Sequence, residues 1–94
     1  MSQSINDTLK ERGSRYGKFA NHAELSQNLK NAVFTHINQY GITQLQPYQV
    51  EAMEMILHKV ARIANGDPYY DDSWRDIAGY AQLVVDILNE KDKS

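Results

Sequence analysis

Four carboxylates fall in two pairs at helical spacing, Glu51 with Glu54 and Asp72 with Asp76. Carboxylates projected from two adjacent helices are the hard oxygen donors that Mg²⁺ takes, and such an ion keeps several waters for a phosphate-bearing substrate. Lys59 and Arg62, with Arg15 and Lys18 from upstream, are the cations expected to balance phosphate charge. Together they describe a nucleotide-phosphate site. The same acids also have a plainer reading. Asp72 and Asp76 lie where the dipole of a helix start favours anions, and Ser73 with Asp76 resembles a capping pair.

A second group runs Arg12-Gly13-Ser14-Arg15-Tyr16-Gly17-Lys18-Phe19. Two glycines free the backbone, three cations surround an aromatic pair, and a loop of this kind can wrap an anion with N–H groups and guanidinium donors. The alternative is a connector whose Tyr16 and Phe19 pack while the cations stay wet. The two glycines do not have phosphate-loop spacing. His22 and His36 have no second ligand at four-residue spacing in their helix, so both read as structural or solvated. There is no cysteine, and no serine sits in a nucleophile elbow, so a serine or cysteine hydrolase is disfavoured.

These residues need helices to position them, and the pattern is all-helical throughout. Pro47 opens a segment that Asn65-Gly66 closes, and a further helix starts at Asp72 or Ser73 after the turn over residues 65–73. The pair forms an antiparallel helix hairpin. In that register Arg62 comes level with Asp76, so an Arg62–Asp76 ion pair is the easiest local contact, whereas Glu54 lies about 10 Å deeper at 1.5 Å per residue. The acidic pairs therefore meet only if the helices slide or a neighbouring subunit supplies one pair. Upstream, Ser4 to Asp7 caps a short helix over Thr8 to Arg12 that Gly13 ends. Asn21 caps a long helix reaching Tyr40, and Ile42 to Gln46 is a short polar link. Residues 89–94 form a charged tail that is expected to fray.

The expected fold is a small all-α bundle in a single domain over residues 1–94: three long helices plus a short N-terminal one. On the last helix Trp74, Ile77, Ala78, Ala81, Val84, Val85 and Leu88 share a face, and Tyr80, Leu83 and Ile87 form a second apolar stripe. A helix apolar on two sides is central in its bundle or buried in an oligomer. With only 94 residues to build a core, assembly into a homo-oligomer of two or more copies is expected, with Tyr80, Leu83 and Ile87 at the interface. Gly79 in mid-helix marks a close helix crossing or a ligand near the backbone.

Net charge is −2. Residues 1–36 hold five basic and three acidic side chains, whereas residues 37–94 hold five basic and nine acidic ones. No strongly basic stripe exists, which argues against nucleic acid as the partner. No apolar run is long enough for a membrane span or signal core, so residence in the cytoplasm of a bacterial host cell is the expectation.

The blocks EAMEMILHKVARIANGDP (51–68), DSWRDIAGYAQL (72–83) and ERGSRYG (11–17) resemble a family of small phage and prophage proteins of unassigned function. More distantly, Lys59 to Ile63 and Asp72 to Tyr80 resemble nucleotide-modification-associated proteins and the MazG-like all-helical nucleoside triphosphate pyrophosphatases. The MazG-like resemblance implies Mg²⁺ on acidic pairs, release of pyrophosphate, and work as dimers or tetramers. The chain departs from that pattern in lacking the extra Glu beside Glu51 and Glu54, and in spacing Asp72 and Asp76 by four. Two functions follow: a nucleotide-binding helical protein with MazG-like Mg²⁺ chemistry, or a non-catalytic phage accessory module that binds itself and a host or phage protein.

Overall fold

The computed structural model describes residues 4–93 and is helical apart from short connections. Four helices follow one another: α1 (Ile5–Tyr16), α2 (Phe19–Tyr40), α3 (Pro47–Asn65) and α4 (Asp72–Lys93). α3 is the central strut, packed against α2 on one side and α4 on the other, and among the described residues α2 and α4 do not meet. α1 lies across the α2–α3 end of this layer. No helix of the described chain is long and apolar enough to cross a membrane.

The expected all-α architecture and the α3–α4 hairpin are both present. Pro47 occupies the first turn of α3, and Gln46 N–H donates to Gln49 Oε1 at 2.8 Å, closing the helix start. Gly66 ends it. In the connector, Tyr69 N–H donates to the Asp67 carboxylate (2.9 Å), and the Trp74 indole N–H donates to the Pro68 carbonyl (2.9 Å), so the bend is fixed by its own residues.

α1 is longer than the sequence suggests. Its cap is Ser4, whose Oγ accepts from Asp7 N–H at 3.1 Å, and the helix runs straight through Gly13 to Tyr16. Glycine inside a helix costs about 1 kcal/mol against alanine but does not break it. The stop is Gly17, at φ 80°, a backbone conformation in the left-handed region that favours glycine. The chain therefore turns in two residues. α2 begins at Phe19 rather than after Asn21, with Lys18 as its N-cap residue. At the other end α4 continues through Lys93, because nothing in 89–93 breaks a helix; Ser94, the end of the tail expected to fray, lies outside the described residues.

The α1–α2 joint is bolted to the end of α3 by backbone groups. Asn65 Nδ2 donates to the carbonyls of Tyr16 (2.8 Å) and Lys18 (3.1 Å), and Asp67 N–H donates to the Arg15 carbonyl (2.8 Å). A Cβ on Gly17 would run into the Asn65 carbonyl, and one on Gly66 into the Arg15 carbonyl. These two glycines are what let the segments touch.

The core is thin. Ala52 and Ala61 are the buried apolar residues, and no large side chain is fully enclosed among the described residues. The chain exposes 7225 Å², whereas a compact 10.8 kDa monomer exposes about 5,500 Å². Its radius of gyration is 16.0 Å, against about 12 Å for a compact chain of this length. The layer is open.

Candidate functional site

The last turn of α1, the Gly17-Lys18 joint, the first turn of α2 and the C-terminal half of α3 enclose a cavity of about 480 Å³. Arg12, Lys18 and Arg62 stand in its wall, with Tyr16 and Phe19 between them and His22 and His58 beside them. Among the described residues no carboxylate lines it. A smaller cavity of about 270 Å³ shares Arg12, Tyr16 and Arg62 with the first and adds Thr8, Arg15 and Tyr70 together with two carboxylates, Glu11 and Asp72. The two form one cleft around Tyr16.

Cations and rings alternate along this cleft. The Arg62 guanidinium sits 4.3 Å from the centre of the Tyr16 ring, and that of Arg15 sits 4.3 Å from the Tyr70 ring. The two tyrosine rings are 6.2 Å apart, tilted by 55°. Stacking holds a guanidinium flat, so its N–H fork is directed sideways, the geometry that a phosphate or carboxylate meets bidentately. Tyr16 O–H donates to Asp72 Oδ2 at 3.2 Å, which fixes the ring. Burial, followed by that hydrogen bond to Asp72, pushes the Tyr16 hydroxyl above its ordinary pKa. It stays a neutral donor.

His22, only 5% exposed, meets His58 edge-on with ring centres 4.6 Å apart. Burial, reinforced by His22 and then Arg62, pulls His58 down to about 4, and burial followed by Arg62 lowers His22 as well. Both are uncharged at neutral pH. His22 Nδ1 and Ser26 Oγ, one turn apart on α2, are buried without a hydrogen-bond partner among the described residues. The main cavity is thus a partly apolar recess with uncharged histidines and with Arg12, Lys18 and Arg62 in its wall, and carboxylates enter only in the adjoining smaller cavity.

Of the four cations expected to hold phosphate, Arg15, Lys18 and Arg62 come together here and Lys59 does not. Lys59 is buried in the α3–α4 seam, its Nζ 2.9 Å from Asp76 Oδ2. The expected Arg62–Asp76 pair is corrected accordingly: the stretched connector brings position 59 level with Asp76, and Arg62 turns to Tyr16. His58 is half-buried against His22. His36 lies at the far end of α2 beside Tyr40, ring centres 5.0 Å apart.

Glu51, Glu54, Asp72 and Asp76 are not gathered within one copy. Asp72 receives Tyr16, Asp76 receives Lys59, and among the described residues no three His, Asp or Glu side chains lie close enough to hold a metal. The four-carboxylate set is therefore not assembled within a single chain. On α4, Tyr80 and Ile87 are half-buried, while Leu83 is 58% exposed. No atom outside its own helix comes near the Cβ position of Gly79, so the close crossing expected there is not made within the chain.

Arg12 and Phe19 belong to the 12–19 segment whose cations and aromatic pair suggest an anion-wrapping loop, whereas nothing in the sequence marks His58 and Tyr70 as site residues. The difference is that Arg12 to Tyr16 sit on the last turns of α1 and Phe19 on the first turn of α2, not on a loop. For His58 and Tyr70 only the packing of α2 and α1 on α3 supplies the neighbour.

The residues 2–88 match a family described as a domain of unknown function, DUF6378. The chain belongs to that family. No curated protein and no solved structure matches it.

Proposed function

We propose that the protein binds a nucleotide through its phosphate groups, in the cleft between α1, the start of α2 and the end of α3. The observation that carries this reading is the main cavity's wall: Arg12, Lys18 and Arg62 with Tyr16 and Phe19, and no carboxylate among the described residues. Fixed guanidinium groups suit phosphate oxygens, and flat rings beside a neutral recess suit a base. The resemblance of 11–17, 51–68 and 72–83 to small phage proteins supports a role as a phage or prophage accessory protein. Binding rather than hydrolysis is the reading, because Glu51, Glu54, Asp72 and Asp76 do not meet and no catalytic residue follows from the cleft. Calorimetry with mono-, di- and triphosphates, with and without Mg²⁺, tests it. A nucleotide should bind in the absence of Mg²⁺, and Arg62→Ala should weaken it at least about tenfold, the loss of one charge-assisted pair. No heat from any nucleotide would overturn it.

A non-catalytic interaction module is the second reading. It is favoured by the apolar side chains that α4 leaves in water: Trp74 is 53%, Val85 45% and Leu88 41% exposed.

A further inference from the structure

On α4 the residues turned toward α3 are Ser73, Ile77, Tyr80, Val84 and Ile87, all buried or half-buried. A separate row, Trp74, Ala78, Ala81, Val85 and Leu88, is exposed at every position. Its steps are four, three, four and three residues, the alternation that keeps a seam facing a second helix over two full heptads. Neither α2 nor α1 reaches it. Beside the row lies an apolar groove of about 310 Å³ between α3 and α4, walled by Met53, Ile56, Ala81 and Val84. Row and groove share Ala81 and form one continuous face.

We infer that this face is covered by the same face of a second copy, with the two α4 helices antiparallel about a twofold axis at Ala81. Three observations select that occupant. The first is area: the chain exposes 7225 Å², about 1,700 Å² beyond a compact monomer of its mass, and a standard interface takes about 800 Å² from each partner. The second is self-complementarity. Antiparallel pairing about Ala81 sets the largest residue, Trp74, opposite Leu88, and Ala78 opposite Val85, while the two small Ala81 side chains meet at the crossing where the helices come closest. The third is charge. The residues flanking the row on its outer side are Arg75, Gln82, Asp86 and Asn89; Arg75 is already held by Asp71 at 2.8 Å, and Gln82 Nε2 donates to Asp86 Oδ1 at 2.7 Å. No run of like charges meets itself across the axis, as an isologous contact requires. Trp74 is preset for this, its indole N–H spent on the Pro68 carbonyl and half its surface left free. The site of self-association is the exposed row, so it differs from the Tyr80, Leu83 and Ile87 stripe expected from sequence. It does not depend on what the α1–α3 cleft binds.

The chain has no cysteine, so single-cysteine cross-linking of the full-length protein reads the geometry directly. Ala81→Cys at the axis should form a disulfide with its copy under mild oxidation, whereas Asn31→Cys on the outer side of α2 should not. Sedimentation of the unmodified protein at micromolar concentration should give at least twice the monomer mass. Val85→Lys should lower the association at least about tenfold, and where that variant fails to fold the cysteine comparison still decides. A monomeric unmodified protein would overturn the inference, and so would Ala81→Cys linking no faster than Asn31→Cys.

Discussion

Lys59 and Arg62 are one turn apart on α3 and do opposite jobs. Lys59 lies in the α3–α4 seam with its stem covered and its ammonium on Asp76. Asp76 itself keeps water contact, so the two partners are not equivalent. Asp76→Asn leaves a buried ammonium without its anion and should cost about 2 kcal/mol, a discount on the value for a fully buried pair. Lys59→Met fills the seam and should cost less; urea unfolding of both variants checks the order. His58 gives a pH test. Its pKa is about 4 in the fold against about 6.5 in the unfolded chain. Between those values the unfolded state binds more protons, so stability is full above pH 6.5 and falls as pH drops toward 4. His22 acts in the same direction. Unfolding midpoints should fall from pH 7.5 to pH 5, and His58→Phe should flatten that fall. That Arg15 and Lys18 lie together was legible in sequence because both fall in one short segment with aromatics and glycines, whereas nothing beside Arg62 in the chain says that it turns to Tyr16. Lys59 was not, since its partner depends on how many residues the hairpin bend consumes.

At the scale of elements, the glycines separate into two kinds. Gly17 and Gly66 are where the α1–α2 joint touches the end of α3, and side chains there collide with backbone. Gly17→Ala and Gly66→Ala should each destabilise by about 2 kcal/mol or more, and each should also weaken ligand binding, because Tyr16 and Arg15 would lose their position. Gly13 and Gly79 have open space at Cβ, so Gly13→Ala and Gly79→Ala should stabilise by about 1 kcal/mol. Chemical denaturation of the four variants tests the division. The bounds of α3 were readable because Pro47 and Asn65-Gly66 are strong local punctuation. The end of α1 was misplaced because Gly13 and Gly17 look alike in sequence, and only the hydrogen bonds from Asn65 and Asp67 tell which one stops the helix.

The whole molecule is an open layer of three helices with a fourth across one end, and the two surfaces proposed for binding are separate. The cleft around Tyr16 is built by α1, α2 and α3, whereas the exposed apolar row belongs to α4. All-helical architecture was evident from periodicity, since every long segment repeats at helical spacing. Which stripe of α4 faces α3 was not, because a helix apolar on two sides offers either. The acidic pairs illustrate the same limit: their spacing suits a metal, but Asp72 and Asp76 have each taken a cationic or hydroxyl partner. The most direct test of the central claim, nucleotide binding at the α1–α3 cleft, is an amide-resolved NMR titration of the intact protein with a nucleoside triphosphate. Shifts concentrated at Arg12, Tyr16, Gly17, Phe19 and Arg62 are predicted. Saturation with shifts confined to Glu51, Glu54 and the outer turns of α4, or no shifts at all, would contradict it.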